Sequence, residues 1–226
     1  MINDLKDLFI HHIQNLYAAE IHMLAELPAM MEKVHHRSLK NALTHHMNLT
    51  NDHKERLEQI VRLLNEHAGQ EQVQLNRDSI SKGMMGLIDE AKDIFAAGLQ
   101  EEVADAAIIA CIQKMEHYEI TSYGTALAYA GQLHLPKAQE LLKETLNEEY
   151  DADDLLTALA TASLNKEAVT KDANPFSVDD SSDDKTDTEP SESPAQIHIT
   201  ERTINSPGGR AGTSHRRYGT GESRGH

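Results

Sequence analysis

Glu116 and Glu119 lie three residues apart in KMEHYEITSYGT (114–125), directly after the apolar run AAIIACIQ (106–113). At about 100° of rotation per residue, both fall on one face of a helix. Ionised acids taken into a core cost several kcal/mol each unless they bind protons or share a cation. The chemistry this pair points to is carboxylate ligation of a metal ion, with imidazole as a further donor.

Four long helical patterns must position such a site. The first begins near Asn3 and carries Leu5, Leu8, Phe9, His12, Leu16, Glu20, Met23 and Leu27 on one face; Pro28 is a candidate kink, and HHRS (35–38) ends it. The second, with Ser38 as its cap, turns Leu39, Leu43, His46, Thr50, His53, Leu57, Ile60 and Leu64 to one side and closes at HAG (67–69). The third spans about 102–131, with the stripe Ile109, Ile112, Glu116, Glu119, Tyr123, Ala126 and Ala130. The fourth starts near Pro136 and runs to about Asn165. Its stripe is Leu141, Thr145, Ala152, Leu156 and Leu159, with Glu149 at one edge and Glu148 at the other.

Residues 70–101 connect the second and third patterns and include a short amphipathic helix around MMGLIDEAKDIFAA. Short turns inside each pair and one long crossover between the pairs predict an all-α, ferritin-like four-helix bundle.

Residues equidistant from a turn share a level. A turn at 36–37 sets Glu20 against His53, and a turn near 133 sets Glu116 and Glu119 around Glu149. One layer then holds Glu20, His53, Glu116, Glu119 and Glu149 as candidate metal ligands. Four carboxylates match two divalent ions, with Glu116 or Glu119 bridging and Glu20, His53 and Glu149 terminal. His46 and His12 fall about two turns away and read as core or rim histidines. Of Glu148 and Glu149, one is expected to turn to solvent. Tyr17 and Tyr123 read as packing residues that hydrogen-bond a carboxylate. Glu32 and His35 match the Glu-x-x-His pattern in spacing, but they lie beyond Pro28 and read as surface residues.

Composition supports this architecture and excludes others. The chain of 226 residues has no tryptophan and 4% aromatics, which argues against a β-sandwich. A formal net charge of −16 disfavours binding to nucleic-acid phosphates. Cys111 is the single cysteine, so no intrachain disulfide exists. The N-terminal stretch lacks the pattern of a signal peptide, and no segment has the apolar length of a membrane span, so a cytoplasmic protein is expected. P-loop, nucleophile-elbow and dinucleotide fingerprints are lacking. Composition changes near residue 166: an acidic, Ser- and Pro-rich stretch is followed by a Gly- and Arg-rich end. The expected organisation is a bundle over 1–165 and a disordered tail over 166–226.

LFIHHIQNLYAAE, RLEQIV, DAAIIACIQKMEHYEITSYGT and AQELLKETLNEEYDADDLLTALA resemble the YciE/YciF family of ferritin-like proteins, over about residues 1–165. The resemblance implies a ferritin-like fold, a dimer, a di-metal centre and a role in stress; two adjacent Fe or Mn ions bridged by carboxylates would suit two-electron chemistry there. Glu20, Glu116, Glu119 and Glu149 match its acidic positions, as does Asp153, which the helical face count turns outward. Asn48 and Leu49 stand where relatives carry a Glu pair, leaving the second helix without a carboxylate ligand. The expected function is a di-metal protein that oxidises a metal ion or consumes a small oxidant. The alternative is a non-catalytic scaffold acting through its surface and tail.

Overall fold

The computed structural model describes residues 2–66 and 72–169. The HAG closure and the tail beyond residue 169 lie outside the described residues. Within them run five helices: α1 (Leu5–Met31), α2 (Arg37–Glu66), α3 (Lys82–Ala96), α4 (Glu101–Gln132) and α5 (Pro136–Leu159). After α5 come a π-helical turn (Ala160–Leu164) and a last helical stretch (Asn165–Glu167). The described residues contain no strand. Helices α1, α2, α4 and α5 form the bundle; α3, in the crossover, packs on α4 and α1.

Local chemistry sets the ends. Asp4 caps α1 by accepting from the Asp7 backbone N–H at 2.8 Å. Pro28 sits inside α1, which continues to Met31. Ser38 is already helical, so it is not the cap of α2 as expected. Instead Asp105, buried on α4, accepts from the backbone N–H groups of His35 at 2.9 Å and His36 at 2.8 Å. A carboxylate at a helix start satisfies orphan donors and the positive end of the helix dipole together. Pro136 opens α5 in its first turn, where a missing N–H costs nothing.

The crossover is tied down by Tyr118, which accepts from Asn15 Nδ2 at 2.7 Å and shares a 2.9 Å hydrogen bond with Ser81. Gly83 makes room for that ring: a Cβ there would lie 2.5 Å from Tyr118 Cε2. Tyr118 is therefore a structural tie between α1, α3 and α4.

The core has two apolar halves. One packs Met23, Leu27, Leu39, Ile88, Ile112 and Leu156 with their neighbours; the other packs Phe9, Ile13, Leu57, Ile60, Ala126 and Leu142 with theirs. Between them, on every bundle helix, the buried residues turn polar.

Candidate metal centre

Glu20 comes from α1, His46 and His53 from α2, Glu116 and Glu119 from α4, and Glu149 from α5. Each is at least 95% buried. Helical spacing explains the inward set. His46 and His53 are seven residues apart, two turns on one face, and Glu116 and Glu119 are neighbours on one face.

Their ligand atoms converge in two groups. One donor atom from each of His46, Glu116, Glu119 and Glu149 lies within 4.8 Å of the others; the same holds for Glu20, His53 and Glu149. Glu149 belongs to both groups, whereas Glu116 and Glu119, one of which is expected to bridge, belong to one.

All five residues expected in the layer are brought together, and His46 joins them. Its Nε2 lies 3.1 Å from Glu116 Oε1. The level count within the α1–α2 hairpin agrees with the structure, where Glu20 Oε1 lies 3.7 Å from His53 Nδ1. It did not set the register between hairpins. In the structure His46 lies level with Glu116, and His53 with Tyr123, their ring centroids 6.2 Å apart. The carboxylates therefore reach both histidines, Glu116 at His46 and Glu20 and Glu149 at His53. An inward histidine two turns from His53 was the signal for His46. His12 stays outside the layer, edge-on to Tyr129.

The second-rank residues divide as expected. Glu148 turns outward and is part-exposed, accepting two contacts from Arg56, one of them at 3.0 Å from Nη2. It also takes His53 Nε2–H at 3.0 Å. That bond leaves Nδ1 facing the centre, 3.0 Å from Glu149 Oε1. Tyr123 donates to Glu20, and Tyr17 donates to Glu58 at 3.1 Å. Asp153 accepts from Gln113 at 2.9 Å, away from the centre. Glu32 is exposed, and His35 lies 3.7 Å from Glu101 at the surface.

Burial governs the electrostatics. Desolvation raises the Glu20 carboxyl to about 8, helped by Glu149 and opposed by His53. It also pushes Glu116 and Glu119 well above the usual carboxylate range, and nearby carboxylates add to the shift. Burial opposes charge on His53, but Glu149, Glu148 and Glu20 outweigh it and raise the imidazole to about 10. Burial likewise opposes charge on Glu149, where His53 and His46 prevail and lower it. Glu148 falls to about 2, because bonds from His53 and Arg56 overcome its partial burial. Burial lowers His46. Without a cation, burial thus favours protons on Glu20, Glu116 and Glu119.

Hydrogen bonding is the sharper test of fit. Buried polar atoms are nearly always paired. Ten buried side-chain nitrogen and oxygen atoms among the described residues have no hydrogen-bond partner. Nine belong to these six residues; the other is His36 Nδ1. His46 Nε2 and His53 Nδ1 approach carboxylate oxygens closely yet are out of hydrogen-bond alignment. One donor atom of each of the six residues instead falls in a common cluster. Carboxylate oxygens with imidazole nitrogens are donors that suit Fe, Mn or Zn.

Comparison with known proteins agrees with this architecture. The family described as a domain of unknown function (DUF892) matches residues 4–169. Protein YciF of Escherichia coli K12 is 38% identical over 167 residues, which are 74% of this chain and 96% of YciF. The crystal structure of that stress protein superposes with a TM-score of 0.64, covering 73% of this chain and 99% of YciF. YcfI of Rhodopseudomonas palustris, 34% identical, gives 0.63 over 69% of this chain and 94% of its own. A Xanthomonas campestris protein at 20% identity and a TM-score of 0.52 shares the fold. No described helix is long and apolar enough to cross a membrane. With residues 4–169 matched and nearly the whole of YciF aligned, this chain belongs to the DUF892 family, the family of YciF.

Proposed function

We propose that the bundle is a di-metal carboxylate protein in stress response, taking two Fe or Mn ions between its helices. His46, Glu116 and Glu119 would hold one ion, Glu20 and His53 the other, and Glu149 both. The observation that carries this reading is the convergence of one donor atom from each of six buried residues, which between them hold nine polar atoms without a hydrogen-bond partner. Two adjacent redox-active ions supply two-electron chemistry toward dioxygen or peroxide. The protein's own residues do the rest. Glu148 fixes the tautomer and orientation of His53, and Tyr123 holds Glu20. The apolar halves of the core keep bulk water from both sides of the layer.

The test changes Glu20, Glu116, Glu119 and Glu149 together to Gln. The amides keep side-chain size and remove the negative charges a cation needs. Fe or Mn content after reconstitution should collapse while circular dichroism stays helical. Unchanged metal content in the folded variant would refute the reading.

A further inference from the structure

A groove of about 410 Å³ lies between α2 and α5. Leu43, Leu49, Ala152, Leu155 and Leu156 give it apolar walls, and Leu155 remains 45% exposed. His46 also lines it, 5% exposed and with neither ring nitrogen hydrogen-bonded. The inner side of the same imidazole lies 3.1 Å from Glu116. Glu148 lines the groove too, and it bonds His53. The groove thus touches a member of one donor group and the support of the other. A larger groove of about 470 Å³, bounded by Lys6, Ile60, Leu64, His134 and Pro136, includes none of the six donor residues.

We propose that the α2–α5 groove is the route by which small uncharged molecules, of the class of dioxygen and hydrogen peroxide, reach the centre past His46. This rests on the metal-centre reading above. The walls select the class. Along Leu49, Ala152 and Leu155 a charged solute would lose hydration that only His45, His46, Glu148 and Asp151 at the groove could replace, whereas a small uncharged one loses little. The acidic groups at the groove, Glu148 and Asp151, further disfavour anions. Leu49 matters here, because a carboxylate at its place would make that wall polar.

Nitric oxide is the probe, as an uncharged diatomic that binds ferrous iron with a visible absorbance change. The full chain is loaded anaerobically with Fe(II), its iron content is measured, and nitric oxide association is followed by stopped flow. Ala152→Trp fills the groove and Leu155→Ala widens it. At wild-type iron content, Ala152→Trp should slow association roughly tenfold, at the low end of the one to three decades over which association rates vary among related variants. Leu155→Ala, which only truncates an exposed side chain, should speed it severalfold. Should Ala152→Trp fail to fold, Ala42→Trp blocks the groove from α2. Full iron content with wild-type rates in the blocked and widened variants overturns the route alone. A wild-type chain that takes up neither Fe(II) nor Mn(II) overturns the metal-centre reading, and the route with it.

Discussion

At the scale of the residue, the centre is an electrostatic compromise. Glu20, Glu116 and Glu119 are raised by burial, so the metal-free fold holds protons that the unfolded chain releases. For Glu20 the effect on stability has a defined sign: stability falls as pH rises from 4.5 to about 8. His53 acts the same way, its contribution complete below 6.5 and lost as pH rises through about 10. Glu148 opposes them, contributing above 4.5 and losing that contribution as pH falls through about 2. Metal-free protein should therefore lose stability between about pH 5.5 and about pH 8.5, read as a falling urea midpoint, and Glu20→Gln should flatten that fall. A midpoint independent of pH would show that these acids are solvated. Metal should reverse the trend, because its ligands must shed protons to bind.

At the scale of the element, the second helix was the most legible. Its face from Leu39 to Ile60 is buried as the period predicted, because polar residues surround it on the other sides. The third long helix is apolar over much of its surface, yet its stripe could be traced through the two glutamates. The last helix was misread in part. Leu141, Ala152 and Leu159 are only half-buried, while Ala138, Leu142 and Leu146 are buried. This helix packs against both α2 and α4, so its buried face is broader than one stripe and is rotated relative to the sequence reading. Asp105 was invisible for another reason: its partners are backbone groups some 70 residues away, which no local pattern encodes. Asp105→Ala should leave two donors at the α2 start unsatisfied and cost about 3 kcal/mol, measured by denaturant unfolding. A loss below about 0.5 kcal/mol, the range of ordinary surface changes, would show that water serves those donors equally well.

At the scale of the whole molecule, two apolar halves enclose one polar layer, and all four bundle helices contribute to it. Five of its six residues were legible because each marks an apolar face at a level fixed by a short turn. His46 was not, because the register between the hairpins depends on contacts between residues far apart in sequence, such as Asn15 with Tyr118, which no local pattern encodes. That register makes Glu149 the common member of both donor groups and leaves Glu20 in only one. The central claim of two ions sharing Glu149 is tested most directly by elemental analysis of Mn-reconstituted, desalted protein. The account predicts two ions per chain in the wild type, one in Glu20→Gln and well under one in Glu149→Gln. Well under one ion per chain in the wild type, or equal losses in the two variants, would contradict it.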